Sequence, residues 1–337
     1  MTPIRPFRLQ PGDTIGIVSP SSPIAAYCPR RLARGVKQLE ERGFKVLLGT
    51  HVSARRAHTA GTITQRLDDF HAMVGDPSVK AIVTSIGGFN SNQLLDGLDY
   101  GLIRHNPKII MGYSDITFLL LAIHKMTGLV TFQGPQLLVQ MAEHGGFSGY
   151  SWDWFERILV KGLGPVELTP SLTMISEKLW WDKEDDRPRQ VDPHSGPKVV
   201  RPGKTSGRLV AGNLGTMMSL AGTPFFPDLQ GAILCIEDCE PDTPASIDRS
   251  LTQLRLMGVF DKIAAMVVGR FEPKVGYSKD DSFEEAVLQA TRGHDFPLGM
   301  DFDFGHTDPL FILPNGIRAE VDFGDRARLS LLEPAVQ

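Results

Sequence analysis

Cysteine is scarce in this 337-residue chain: Cys28, Cys235 and Cys239 are three in number and show no Cys-x-x-Cys spacing. An odd, unpatterned set argues against a disulfide framework or a zinc site, so buried or idle thiols are expected. The histidines include no His-Glu-x-x-His motif and no pair with a supporting acidic ligand, which makes a metal hydrolase a poor reading and predicts no metal. Basic tracts are also missing. With a formal charge of −4 and Lys and Arg spread along the chain, a nucleic acid polymer is not the expected partner; small molecules or peptides are. The longest apolar run, around Phe118 to Ile123, is far shorter than a membrane span, and residues 1–10 hold no apolar signal core. A soluble, cytoplasmic protein without membrane contact is expected.

What is present reads first as alternating strand and helix. Asp13–Ser19 is a near-continuous apolar run entering a Pro/Ser-rich loop, as a strand buried on both faces does. Arg30–Arg42 places Leu32, Val36 and Leu39 on one helical face and stops at Gly43. Lys45–Leu48 follows as a strand, Thr62–Val74 as a helix and Lys80–Thr84 as a strand. This rhythm predicts a doubly wound, mostly parallel sheet through about Gly134. From about Lys161 to Lys204 the pattern breaks into Pro, Gly and charge, a linker or long functional loop containing Trp180-Trp181. Adjacent tryptophans amid charges need either core packing or a flat ligand to stack on. Beyond Gly207, strands are expected at Gly231–Asp238 and Ala265–Arg270, with a helix at Ile247–Leu256. Asp301–His306 reads as an alternating strand ending at a Gly-His turn, and Asn315-Gly316 as a hairpin. That half is mixed α+β. The expected division is an N-terminal α/β domain at 1–165, a linker and active-site loop at 166–204, and a C-terminal domain at 205–337.

The chemistry is carried by a few strand ends. Lys108–His124 reads as a strand, a Gly-Tyr-Ser-Asp turn and a helix, which puts Ser114 on a strand-to-helix elbow with the positive end of a helix beneath it. Ile116 stands where a G-x-S-x-G elbow has its second glycine, so an ordinary α/β-hydrolase is not guaranteed, and a helix N-cap is the plainer alternative. Gly87-Gly88 follows a strand where ligands of open sheets sit. It lacks the followers of a phosphate loop, so it fits an oxyanion-hole backbone or simply a tight turn. Ser114, Glu237 and His306 each sit at the end of an apolar run, in the order nucleophile, acid, base.

Several segments, taken in order, resemble the LD-carboxypeptidase family of serine peptidases: Gly87–Leu95, Leu98–Tyr100, Asn106–Asp115, Phe132–Pro135, Gly207–Leu214, Ile236–Asp238 and Gly305–Pro309. The resemblance covers nearly the whole chain. It implies an N-terminal domain similar to class I glutamine amidotransferases and a smaller C-terminal domain, with a Ser-Glu-His triad assembled between them. Ser114 matches the nucleophile, Glu237 the acid and His306 the base, and the backbone N–H groups of Gly88 and Asp115 the oxyanion hole. No cofactor is implied, and the family's habit is a homodimer. The Gly87–Leu95 run and the tryptophan loop look like the microcin C immunity branch, which cleaves an amide between an acidic residue and a modified nucleotide. Gly87, Asn90, Trp180, Trp181 and Asn213 are the substrate-binding residues this implies, one of the two tryptophans stacking on adenine. Where that branch commonly has a lysine, four residues after the acid, this chain has Pro241 between Glu240 and Asp242, which puts the preference for an anionic substrate in question. The expected substrate is a small peptide or an aminoacyl-nucleotide. The alternatives are murein tetrapeptide cleavage and a non-catalytic homologue that only binds.

Overall fold

The computed structural model of the chain describes residues 3–239, 241–272, 275–278 and 282–337. Two sheets organise it. The first has six strands, in the order Leu313–Asn315, Thr131–Gln133, Ile109–Gly112, Val79–Thr84, Thr14–Val18 and Lys45–Leu48. Five are parallel, and Leu313–Asn315 is antiparallel at one edge. The second has eight: Val166–Glu167, Ala327–Leu331, Arg318–Phe323, Gly203–Asn213, Ala232–Glu237, Ala265–Gly269, Leu298–Phe302 and Lys198–Arg201. Its four strands from Gly203–Asn213 to Leu298–Phe302 are parallel, and the flanking strands are antiparallel.

Burial on both faces explains the continuous apolar runs. Ile15, Ile17, Ala81, Val83, Ile109 and Met111 pack into one core, whereas the alternate residues Val18, Ile82 and Ile110 pack into another. A pleated strand sends neighbouring side chains to opposite faces, so a strand covered twice has no polar face to show. Helices form where the periodicity places them, at Pro29–Glu41, Ile63–Gly75 and Pro244–Leu256. Ile63–Gly75 starts on a capping box in which the Thr62 side chain accepts from Gln65 N and the Gln65 side chain accepts from Thr62 N.

Two expectations are corrected. The alternating strand expected over Asp301–His306 is instead Leu298–Phe302: the left-handed Asp301 (φ 67°) breaks the alternation with an irregularity in the pairing, and the pairing ends at Phe302. Asn315-Gly316 makes no hairpin. Leu313–Asn315 pairs with Thr131–Gln133 in the first sheet, and Arg318–Phe323 pairs with Gly203–Arg208 in the second. Gly316 (φ 92°) supplies the turn, but the turn passes the chain from one sheet to the other.

Candidate active site

The carboxyl ends of the parallel strands of both sheets converge on one cavity of about 790 Å³. From the first sheet come Gly87 and Gly88 beyond Val79–Thr84, and Tyr113, Ser114 and Asp115 beyond Ile109–Gly112. The second sheet brings Asn213 and Asp238, and His306 reaches the cavity from the loop after Leu298–Phe302. Glu237, the last residue of its strand, is fully buried behind His306.

Ser114 has φ of 63°, the left-handed conformation a strained elbow requires. A short 3₁₀ turn, Ser114–Ile116, leads from it into the helix Thr117–Thr127. Tyr113 is fixed beside it, because Gln136 Nε2 donates to its carbonyl (3.0 Å) and Gln140 Nε2 to its hydroxyl (3.0 Å). The Asp115 carboxylate turns away from the cavity to accept from Ser91 N (2.9 Å), leaving its backbone as the part near Ser114. Gly87 lies directly over the serine: a Cβ there would stand 3.0 Å from Ser114 Cβ and 3.2 Å from both Ser114 Oγ and Asp115 N. Only glycine leaves that approach open.

His306 Nδ1 donates to Glu237 Oε2 at 2.7 Å, and the other carboxylate oxygen, Oε1, is buried without a hydrogen-bond partner. Burial pulls the imidazole pKa down, but the Glu237 carboxylate outweighs it and holds the ring well above its usual value. The edge of Tyr113 packs on the ring, centroids 4.9 Å apart. Gly305 (φ 108°) makes the contact possible, since a Cβ there would come within 2.9 Å of Glu237 Cβ. Asp238, adjacent to the acid, is pushed up to about 7 by burial and then by the charges of Glu237 and Asp242. Cys239 lines the cavity beside His306, and burial raises its thiol, which keeps it a weak nucleophile.

The remaining expected residues separate. Trp181 lines the cavity; Trp180 and Asn90 are not part of its lining, and Trp180 is 66% exposed. Asn213 lines it while capping the helix Leu214–Met218: its side-chain oxygen accepts from Thr216 N and its Nδ2 donates to Asp238 Oδ1 (3.0 Å). Pro241 is on the cavity wall, and Glu240 lies outside the described residues. The sequence reading missed Gln136, Lys178, Arg189, Glu272 and Asp308, all of which line the cavity. Lys178 is tied to Glu272 at 2.6 Å. Their one advance signal was position, since Gln136 and Glu272 stand just past strand ends. Among the described residues no group of His, Cys, Asp or Glu is placed to hold a metal ion.

A serine on a left-handed elbow, set at strand ends with a carboxylate-bound imidazole, defines a hydrolase of the serine-peptidase class. Family models for the LD-carboxypeptidase N-terminal and C-terminal domains match residues 15–134 and 206–321. The chain belongs to the LD-carboxypeptidase family. It is 35% identical over 334 residues to the microcin C7 self-immunity protein MccF of Escherichia coli, covering 98% of this chain and 96% of that one. The murein tetrapeptide carboxypeptidase of Pseudomonas aeruginosa is 32% identical over 300 residues, 86% of this chain and 89% of that one. In structure, MccF in complex with glutamyl sulfamoyl guanosine superposes with a TM-score of 0.93 at 34% identity, covering 99% of this chain and all of that one. Among the described residues no helix is long and apolar enough to cross a membrane.

Proposed function

We propose that Ser114, His306 and Glu237 form a catalytic triad that hydrolyses a C-terminal amide of a small peptide or aminoacyl-nucleotide, as in microcin C immunity. The observation that carries this reading is the 2.7 Å Glu237–His306 contact on the cavity that also holds the left-handed Ser114. Ser114 Oγ attacks the scissile carbonyl as its proton passes to His306 Nε2. The N–H groups of Gly88 and Asp115 receive the oxyanion, and His306 returns the proton to the leaving nitrogen. Water, deprotonated by His306, then releases the acyl group from Ser114. Glu237 fixes the tautomer and stabilises the imidazolium. Trp181 offers a ring face for a purine, while Gly87 and Asn213 border the acyl group. The reaction needs no metal or organic cofactor, and we place it in a cytoplasmic homodimer. We assign an N-terminal domain to 1–165, a linker and active-site loop to 166–204 and a C-terminal domain to 205–337.

Pro241 favours a second reading, murein tetrapeptide cleavage. A neutral ring stands on the cavity wall where the resemblance to the immunity branch leads one to expect a lysine, which weakens the case for an acidic aminoacyl group as the preferred one. A substrate panel followed by mass spectrometry separates the two. Faster cleavage of the tetrapeptide than of aspartyl or glutamyl nucleotide amides would move the chain to murein recycling. Labelling by a fluorophosphonate tests the enzyme itself: a mass adduct on Ser114 is expected, lost in Ser114→Ala together with roughly 10⁴-fold or more of turnover. Turnover by Ser114→Ala within tenfold of the parent would end the Ser114 mechanism and leave another one, whereas no adduct and no turnover by the parent on any substrate would leave a binding protein.

A further inference from the structure

Asp308, two residues beyond His306, has both side-chain oxygens and its backbone engaged by different parts of the molecule. Gln140 Nε2 donates to Oδ1 at 3.1 Å while also donating to the Tyr113 hydroxyl, so one amide bridges the nucleophile elbow and the histidine loop. On the other side, Arg189 forms an ion pair with Oδ2 and a second one with Glu143 (2.7 Å). The backbone joins as well: Ile175 N donates to Asp308 O (2.6 Å) and Asp308 N to Ile175 O (3.0 Å). Arg189 and Ile175 bracket the segment that carries Trp181. Asp308 is 6% exposed and Gln140 3%, so water competes little for these contacts.

We propose that Asp308, held by Arg189 and Gln140, is a positioning residue that keeps His306, the Ser114 elbow and the Trp181 segment in one fixed register. This rests on the catalytic reading of Ser114 and His306. The segment bearing Trp181 is thereby no independent lid. Displacing it pulls on the base, so a ligand seated on Trp181 also steadies His306. An ordering role of this kind acts on the chemical step, whereas a segment that only encloses substrate would act on its binding.

The test compares Asp308→Asn, Arg189→Met and the double variant in steady state on the preferred substrate of the intact protein, with AMP binding followed by tryptophan fluorescence. Each single variant is expected to lose kcat on the order of 10²-fold, the usual effect of misplacing a reacting group by about 1 Å, with a smaller rise in KM and a weakened AMP affinity as the Trp181 segment is released together with the base. The double variant should be no worse than the weaker single, because both act through one connection, and Arg189→Lys should recover part of the loss. Should Asp308→Asn fail to fold, Arg189→Met carries the test by itself, since it removes the partner of Oδ2 while leaving Asp308 in place, and it should show the same fall in kcat. Unchanged kcat, a loss confined to KM, or strictly additive losses would overturn the proposal. Ser114→Ala and His306→Ala are run alongside. If these two remain active the catalytic reading itself fails, whereas inactivity of both beside normal Asp308 and Arg189 variants overturns the positioning role alone.

Discussion

The guanidinium of Arg31 lies 4.2 Å from the centroid of the Trp181 ring. Arg31 itself is 1% exposed, and its charge is answered by Asp185 (2.7 Å) and Glu143. Asp182, next in sequence to Trp181, caps the helix Pro29–Glu41 by accepting from Arg30 N and Arg31 N, both at 2.8 Å. One face of the indole is thus backed by a fixed cation, and the residue borders the cavity.

Trp181→Ala should weaken hydrolysis of aminoacyl-nucleotide amides by about 1–3 kcal/mol in transition-state stabilisation, the usual worth of base–aromatic stacking. Trp180→Ala, at an exposed ring outside the cavity lining, should change kcat/KM little. Equal losses on nucleotide and murein substrates would show that Trp181 only holds its segment.

The elevated His306 pKa has a definite sign in the pH–rate profile. A general base works when neutral, so kcat/KM should rise with pH and its acid limb should lie above the ordinary imidazole value of 6.5. Glu237→Gln removes the charge that raises the ring, moves that limb down and lowers the plateau by about 10²–10⁴-fold. Asp238→Asn serves as the control, because burial and the charges of Glu237 and Asp242 push Asp238 up to about 7 as well. A limb that follows Asp238→Asn and ignores Glu237→Gln would reassign the titration.

The same pair has a stability consequence. A group with a raised folded pKa contributes stability that is full below its unfolded value, near 6.5 for histidine, and is lost as pH rises through the higher folded value. Urea melts of the parent and His306→Ala should therefore differ most at mildly acid pH and converge toward alkaline pH.

Gly305→Ala should damage both fold and function. The left-handed backbone and the 2.9 Å approach to Glu237 Cβ leave no room for a methyl group, and a cost of about 1–3 kcal/mol is expected in denaturant unfolding. Activity should fall as the His306–Glu237 contact opens. Thr62→Ala offers a contrast: losing its capping box should cost about 0.5–2 kcal/mol while leaving kcat unchanged. A drop in kcat there would mean that the Ile63–Gly75 helix influences the cavity.

The sequence reveals this fold wherever the cause is local. Apolar runs such as Ala232–Glu237 follow from burial on two faces, and the Ser114 elbow follows from a strand, a short turn and a helix in succession. It fails where the partner is remote. Asn315-Gly316 signals a turn correctly but carries no information that Leu313–Asn315 will pair with Thr131–Gln133. Nothing local marks Arg31, Asp185, Arg189 and Asp308 as buried ion-paired groups, because their neutralising partners lie 46 to 154 residues away. The choice between Trp180 and Trp181 likewise depends on Arg31.

The chain between Phe302 and Leu313 is anchored at one end in the second sheet and at the other in the first. The proposed base therefore rides on a bridge with an abutment in each half of the molecule. Neither half should behave as a native fragment: the first, alone, would expose the backbone edge of Thr131–Gln133, and the second would trail an unpaired strand. Complementation by separately expressed halves should accordingly succeed only when both are made together.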